Sequence, residues 1–331
     1  MPNPRANMPK IFLSFRPNQR VLSACLGLVI ALTALPCSGQ IPDATDNAPR
    51  MNRVVDLMKA NQPALGIFSW DLSTRTAAWI ASDKKMDFVV IDLEHSPYDI
   101  SRLETYLLAM VDKRQILQKG NLQPNVVPIV RVPTEGGEQL RFIIKQVLDT
   151  GPMGIMVPHG DTAADALAAV RACRFPQRKG SAYFEPTGQR GVGYAWPARQ
   201  WGLTSDEYAK RADLWPLNPQ GELLLWLQIE SEEGVKNIQE IVRVPGISGL
   251  FIGPADLAFS LGVPQGDPEV EKAIAKVLAV SREAKIPCGI FDSQVTKRLK
   301  QGFQFVAVGV DNGASWNVQE ALKQGDEFRK K

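Results

Sequence analysis

The chain has 331 residues, of which 44% are hydrophobic and 22% charged, so it can bury the core of one large domain or two ordinary ones. This composition excludes an intrinsically disordered chain and a small disulfide-stabilised fold. The formal net charge is +3, and without residues 1–39 the 34 remaining basic residues face 35 acidic ones, so the charge falls to −1. Nucleic-acid binding, which requires a clustered basic face, is therefore not expected.

Residues 1–39 have the layout of a secretory signal peptide. Basic residues precede an uncharged run, 21–36, and small residues follow at 37–39. The run is shorter than the ~20 apolar residues of a membrane-spanning helix. We expect cleavage and export to the periplasm or outside the cell, without stable membrane insertion. A retained anchor and a lipoprotein modified at Cys37 are the alternatives. Residues 40–62 are predicted to form a connector and an N-terminal helix.

Strand-like apolar runs alternate with helix-like stretches along the rest of the chain. Eight strands, each followed by a candidate helix, predict a single-domain α/β fold, a (β/α)₈ TIM barrel, over residues 63–331. A doubly wound open sheet is the alternative, but the first strand is not followed by the Gly-rich loop that such folds carry. The predicted strands are 64–68, 88–93, 126–132, 154–157, 223–229, 249–252, 288–291 and 305–310. The predicted helices include 74–84, 138–150, 162–174, 233–242 and 268–285.

Two long segments interrupt this alternation. Residues 113–124 are polar and precede the third strand, and residues 176–215 are rich in Gly, Pro and aromatic side chains. Irregular segments of this length in a compact domain are typical of active-site lids or partner contacts.

Polar side chains follow four of the predicted strands, at the end of a parallel barrel where active sites lie. In chain order they are Asp92, Glu94, His95, Arg131, Gln228, Glu230 and Asp256. His95 is a candidate proton carrier because the imidazole pKa lies nearest neutrality. The second histidine, His159, is either a rim residue or an ordinary loop residue. With two histidines in the chain, a His-rich zinc site is not expected, whereas carboxylates suit a hard divalent cation.

Some of these residues also have purely structural interpretations. Arg131 is compatible with a rim salt bridge, and Glu230 and Asp256 are each placed where a residue caps the next helix. Gln228 stands inside an apolar run, where a buried amide requires hydrogen-bond partners.

A cation held by Glu230 and Asp256 would chelate a small α-keto acid and stabilise its enolate as a Lewis acid. Mg²⁺ and Mn²⁺ are the first candidates, and Co²⁺ is a further one. Lys145 falls within a predicted helix, so a metal-dependent route is favoured over an imine formed on a lysine.

Motifs distributed over residues 64–311 resemble, in order, those of the HpcH/HpaI aldolase family, the class II pyruvate aldolases related to the citrate lyase β superfamily. The co-occurrence of Glu-His-Ser-Pro, Leu-Gln-Ile-Glu and Gly-Pro-Ala-Asp-Leu carries the resemblance. The matching segments are 91–97, 130–133, 148–151, 155–158, 174–176, 190–193, 227–231 and 251–257.

The resemblance implies a (β/α)₈ barrel that cleaves or forms a C–C bond between a pyruvate enolate and an aldehyde, using 2-oxo-3-deoxy or 4-hydroxy-2-oxo acids. It implies metal ligation by Glu230 and Asp256, and acid/base chemistry by His95 paired with Asp149. Arg131 would neutralise the enolate oxygen. The small-molecule partners would be a keto acid and an aldehyde, and the protein would be a homo-oligomer, a trimer or hexamer.

The same resemblance implies the substrate contacts. Gln228 would contact the keto acid, and backbone N–H groups around Ala255 and Asp256 would hold its carboxylate. Phe68, Gly253 and Arg190 would join Gln228 and Ala255 as substrate-binding residues. Asp92 and Glu94 would orient water near the metal. The chain departs from the family in having Phe68 where Trp is frequent, and in an insertion near residues 177–187.

Two other functions remain open from the sequence. One is a CoA-thioester lyase of the same superfamily, which the Leu-Gln-Ile-Glu and Glu-His-Ser-Pro motifs disfavour. The other is a non-catalytic periplasmic keto-acid-binding protein that retains the barrel. The intact His95, Arg131, Glu230 and Asp256 argue against a loss of turnover.

Overall fold

The computed structural model describes residues 50–133, 140–311 and 318–330. The predicted signal peptide and the first part of the connector lie outside these residues. The described residues form a closed barrel of eight parallel strands in sequential order, in which β1 pairs with both β2 and β8. The strands are β1 Ala64–Ser69, β2 Phe88–Asp92, β3 Val127–Arg131, β4 Gly154–Val157, β5 Leu224–Ile229, β6 Gly249–Ile252, β7 Cys288–Phe291 and β8 Phe305–Val310.

The predicted (β/α)₈ barrel is therefore confirmed. Helices cover the outside of the barrel, and most begin at a Ser, Thr, Asp or Asn side chain that accepts backbone N–H groups of the first turn. They are α1 Arg53–Lys59, α2 Thr74–Ser82, α3 Ile100–Ala109, α4 Lys113–Lys119, α5 Leu140–Leu148, α6 Ala163–Cys173, α7 Ala195–Trp201, α8 Ser205–Arg211, α9 Glu232–Ile241, α10 Pro254–Leu261, α11 Pro268–Glu283, α12 Val295–Gln301 and α13 Val318–Arg329. None of the helices described here is long and apolar enough to cross a bilayer.

Aromatic rings fill the barrel interior. Trp226 of β5 stacks on Phe305 of β8, with ring centroids 4.1 Å apart, and meets Phe88 of β2 edge-on at 5.1 Å. Gly289 of β7 makes room for this cluster, because a Cβ at that position would lie 2.0 Å from the Phe305 ring. The interior is thus a packed core, and a ligand has to bind outside it, at one end of the barrel.

The two ends of the barrel are distinguished by chain direction. At the carboxyl end the strands finish and the following helices begin, and at the amino end the helices finish and the strands begin. The four strands that are followed by the predicted site residues all finish at the carboxyl end. The two interrupting segments are only partly irregular, since α4 lies in the first and α7 and α8 lie in the second.

Candidate active site

A buried carboxylate, Glu230, lies just after β5 at the carboxyl end of the barrel. It is 2% exposed. Its Oε2 accepts a hydrogen bond from the Gln228 amide at 2.6 Å, and its Oε1 accepts one from the backbone N–H of His159 at 3.1 Å. Among the described residues, no ion pair within 4.0 Å balances its charge. The pKa of Glu230 is raised to about 8, chiefly by burial and also by the charges of Asp256 and Glu94, while the His159 N–H and the charge of Arg131 act in the opposite direction.

The helix-cap interpretation of Glu230 and Asp256 is not supported by the structure. Ser231 is the N-cap of α9, and its hydroxyl accepts the N–H of Gly234. Gly253 is the N-cap of α10 and provides no side-chain cap, while Asp256 lies in the first turn and is exposed. The two carboxylates are therefore not committed to capping a helix.

Gly253 allows Glu230 to lie against the start of α10. A Cβ at residue 253 would lie 2.3 Å from Glu230 Oε2, so a larger residue would displace the carboxylate. Because α10 has no side-chain cap, the N–H groups of Ala255 and Asp256 have no partner within the described residues. Such N–H groups form an anion-binding site at a helix N-terminus.

Arg131 ends β3 and is held by two carboxylates. Its Nε donates to Asp92 Oδ1 at 3.0 Å, its second terminal nitrogen also bonds Asp92, and its first lies 3.0 Å from Glu94 Oε2. Arg131 and Asp92 are both buried. The salt-bridge interpretation is thus correct in part, but the pair is buried rather than exposed. Phe68 of β1 lies beneath the guanidinium, 4.8 Å from its centre.

Asp92 also shapes the turn that carries His95. Its Oδ1 accepts the backbone N–H groups of Glu94 at 2.9 Å and of His95 at 3.4 Å. The His95 side chain is 55% exposed, and its Nε2 lies 3.8 Å from Glu94 Oε2. One buried carboxylate therefore orients the Arg131 guanidinium and holds the backbone turn that carries His95.

Asp149 and Arg190 lie together, but they are not part of this cluster. Asp149 directly follows α5, and the backbone N–H of Arg190 donates to the carbonyl of Arg174, which directly follows α6. Because the helices finish at the amino end of the barrel, both residues lie at that end. Arg190 donates to Asp149 at 3.2 Å and to the Tyr208 hydroxyl at 3.1 Å, and Lys145 also pairs with Asp149. No hydrogen bond or ion pair joins Asp149 to His95 within the described chain. The His95–Asp149 pair stays a prediction, and it cannot form within one barrel.

The insertion near residues 177–187 is also anchored at the amino end. Buried Arg174 donates to the carbonyls of Tyr183 and Pro186, both at 2.6 Å, and pairs with Asp213 at 2.7 Å. Within one chain this segment therefore does not border Glu230.

Two features of the site were not predicted from residue types. His159 contributes its backbone N–H rather than its side chain, and does so from a left-handed conformation with φ of 47°. Asp311, after β8, accepts the N–H groups of Trp70 and Asp71 at 2.9 and 3.2 Å and a hydrogen bond from Ser69. It thereby fixes the loop after β1 at the rim. The left-handed backbone and this long-range contact leave no local signal in the sequence.

The arrangement suits a divalent cation, although no cluster of three His, Cys, Asp or Glu is arranged to hold a metal among the described residues. Glu230 and Asp256 supply carboxylate oxygens. Gln228 Oε1 is buried and has no hydrogen-bond partner within the described part of the chain. Oxygen donors of this kind favour Mg²⁺ or Mn²⁺ over softer metals.

Comparison with known proteins gives one consistent result. The model of the HpcH/HpaI aldolase/citrate lyase family matches residues 66–317. A 4-hydroxy-2-oxo-heptane-1,7-dioate aldolase of Shigella sonnei is 35% identical over 80% of this chain and 91% of its own length. A hydroxypyruvate/pyruvate aldolase of Roseobacter denitrificans is 33% identical over 75% of this chain and 88% of its own.

A solved structure agrees with the sequence comparisons. A protein of this family from Burkholderia cenocepacia superposes with a TM-score of 0.66 and 29% identity, over 84% of this chain and 99% of its own. The chain belongs to the HpcH/HpaI aldolase/citrate lyase family, and it is a carbon–carbon lyase of the class II pyruvate aldolase type.

Proposed function

We propose that the protein is a metal-dependent aldolase that joins pyruvate to an aldehyde and cleaves the resulting 2-oxo-3-deoxy or 4-hydroxy-2-oxo acids. Glu230 carries this proposal, because it is a buried carboxylate at the carboxyl end whose charge no ion pair within the described residues balances. The names of the relatives support the substrate class, since they include aldolases of a 4-hydroxy-2-oxo acid and of hydroxypyruvate with pyruvate.

Glu230 and Asp256 are the proposed metal ligands, with Gln228 Oε1 as a neighbouring oxygen. Aldolases of this family generally depend on a divalent metal, and Mg²⁺, Mn²⁺ or Co²⁺ is proposed here. When bound, the metal supplies a Lewis acid that polarises the keto group of the substrate.

The remaining groups bind and orient the keto acid. The free N–H groups of Ala255 and Asp256 bind its carboxylate at the start of α10. Arg131 is oriented by Asp92 and Glu94, so its charge is in place before negative charge develops on the enolate oxygen.

His95 is the proposed proton carrier. In the cleavage direction it accepts the proton of the 4-hydroxyl group, the C3–C4 bond breaks, and the bonding electrons move to the 2-keto oxygen. The aldehyde leaves, and the enolate takes a proton at C3 to give pyruvate. The exposure of the imidazole leaves it accessible to the open end of the substrate.

A second copy of the chain is proposed to bring Asp149 to His95. The two residues lie at opposite ends of one barrel, so a homo-oligomer is required for the pair. His95→Ala and Asp149→Asn should each be inactive, and a mixed oligomer of the two should regain part of the activity because one of its interfaces carries both native residues. A mixture that exchanges subunits but stays inactive would contradict the pairing.

Export is proposed from the leader, residues 1–39. The mass of the mature protein isolated from a cell fraction checks it: loss of about 39 residues is expected, and the full-length mass in the cytoplasm would contradict it.

The proposed function is tested by measuring the exchange of solvent deuterium into the methyl group of pyruvate. Enolate formation replaces methyl hydrogens of pyruvate by deuterium in D₂O, and mass spectrometry measures this with Mg²⁺ or Mn²⁺ added and after chelation. We expect exchange that requires the metal, followed by product formation with hydroxyaldehydes. The absence of metal-dependent exchange would overturn the proposed enolate chemistry.

A further inference from the structure

A cavity of about 510 Å³ opens at the amino end of the barrel, away from Glu230 and Arg131. Pro128 at the start of β3 and Met153 just before β4 line it, together with the last turn of α3, helix α4 and the last turn of α7. The volume lies within the range of small-molecule sites. One of its lining residues, Gly151, is two residues after Asp149, so the cavity borders the face that carries Asp149.

Helix α4 creates this space because it stands away from the core. It lies in the segment that interrupts the βα alternation, and none of its residues is buried. The segment is nevertheless fixed in place: Gln115 donates to the Ala81 carbonyl at 3.1 Å, and Gln123 donates to the Arg50 carbonyl at 3.0 Å. Hydrogen bonds therefore hold α4 and the residues after it in place. Because α4 buries no side chain against the barrel, a cavity remains beneath it.

The lining is mostly apolar and partly exposed. Leu108 is 46% exposed, and Val111 and Leu122 are each 43% exposed. Covering apolar side chains of this type with an apolar ligand is favourable, because it removes their surface from water. The cavity therefore favours a ligand with an apolar body.

The polar groups of the lining favour a negative charge. The side chains of Lys113 and Arg199 make no hydrogen bond or ion pair within the described residues, and the Gln200 Nε2 is buried there without a partner. An unpaired buried donor of this kind is unfavourable until a ligand accepts its hydrogen bond. The Asp112 carboxylate also lines the cavity, but it is occupied as the N-cap of α4, accepting two N–H groups.

We propose that this cavity is a second ligand site that binds an amphipathic carboxylate, such as a medium-chain fatty acid. The alkyl chain lies against Leu108, Val111 and Leu122. The carboxylate faces Lys113, Arg199 and the Gln200 amide. The site does not depend on the proposed aldolase activity.

Binding to the full chain tests the proposal. The fluorescent anion 1-anilinonaphthalene-8-sulfonate is titrated into the protein and then displaced with octanoate, with pyruvate as a competitor that should have no effect. Leu108→Trp places a larger side chain in the wall of the cavity, and Leu117→Trp on α4 is the matched control because Leu117 is 83% exposed and does not line it. Lys113→Glu combined with Arg199→Glu reverses the charge, and Lys276→Glu on α11 is its control.

We expect saturable binding of one octanoate per chain, weakened about tenfold or more by Leu108→Trp and by the double charge reversal, and unchanged in both controls. Equal octanoate affinity in Leu108→Trp and Leu117→Trp would overturn the proposal. The absence of saturable binding would also overturn it. Sedimentation of the same samples measures the oligomeric state. If the wild-type oligomer binds no octanoate and the Leu108→Trp variant dissociates into monomers, a second copy of the chain occupies the cavity, and the proposal is wrong. Matching thermal midpoints confirm that each variant is folded.

Discussion

Both ends of the barrel bury carboxylates, but Glu230 at the carboxyl end differs from Glu222 and Asp87 at the amino end in its charge partners. At the amino end, Glu222 accepts the N–H groups of Met51 and Asn52 at 3.1 and 3.0 Å and lies 3.5 Å from Arg50. Asp87, at the same end, pairs with Arg53 at 2.9 Å and with Arg329 of α13. These acids fasten the first and last described helices to the barrel.

At the carboxyl end, Glu230 accepts hydrogen bonds from Gln228 and His159 but has no cation in contact within the described residues. Arg131, whose positive charge lowers the pKa of Glu230, is already held by Asp92 and Glu94. The comparison shows that burial alone does not identify a functional acid. Glu230 differs from Glu222 and Asp87 because no cation pairs with it within the described residues. A bound metal would be that cation.

The largest expected effect is on turnover. Glu230→Gln removes the charged ligand but keeps a side chain of the same shape, so metal-dependent exchange into pyruvate should fall by at least about 10³-fold. The thermal midpoint without metal should not fall at neutral pH, since Glu230, with a pKa of about 8, is then mostly protonated and Gln is a neutral side chain of the same shape. Exchange at the wild-type rate would contradict the role of Glu230.

Asp92→Asn should have the next largest effect. It weakens the contact that orients Arg131 and the turn of His95, so kcat should fall about 10²-fold. Leaving the Arg131 charge partly unbalanced should also lower the free energy of unfolding by about 3 kcal/mol. Steady-state kinetics and urea unfolding measure the two effects. An unchanged kcat with lowered stability would make Asp92 purely structural.

The metal-free protein should lose stability as the pH rises. The Glu230 pKa is about 8 in the folded chain, against an ordinary value of 4.5. Between these values the unfolded state has released a proton that the folded state retains, so the free energy of unfolding decreases with rising pH and levels off above about 8. The difference between wild type and Glu230→Gln in urea unfolding isolates this group. A difference that does not change with pH would contradict it.

Glu222→Gln should have the smallest effect, and on stability alone. It weakens two charge-assisted hydrogen bonds to backbone N–H groups, which should lower the free energy of unfolding by about 2 kcal/mol. Pyruvate exchange per folded molecule should be unchanged. A loss of exchange without unfolding would show that the amino end also affects the chemistry.

Most of the fold was predictable because strand signals are local. The bounds of β4, β6, β7 and β8 agree with the predicted ranges. The bounds of β1, β2 and β5 differ by one residue at one end, and those of β3 differ by one residue at each end. Helix ends were less accurate, since α2 stops at Ser82 rather than at residue 84. The capping side chains explain the starts, but fraying at the ends leaves little sequence signal.

The carboxyl-end residues of the site were predictable because they follow strands directly. Arg131, Gln228 and Glu230 stand where parallel strands end, and topology alone brings them to one face. The backbone N–H of His159 was not predictable, because any residue type has one. The position of Asp149 at the amino end was implied by the order of helix and strand, since a residue that follows a helix lies at that end. The family resemblance instead predicted that Asp149 pairs with His95, which lies at the carboxyl end.

Manganese binding measured by electron paramagnetic resonance tests the central claim most directly, using the matched Glu→Gln changes at the two ends. The account predicts that wild type and Glu222→Gln each bind one Mn²⁺ per chain, while Glu230→Gln binds none at the same concentration. Retention of Mn²⁺ by Glu230→Gln would contradict the claim that the unbalanced carboxylate is the metal site.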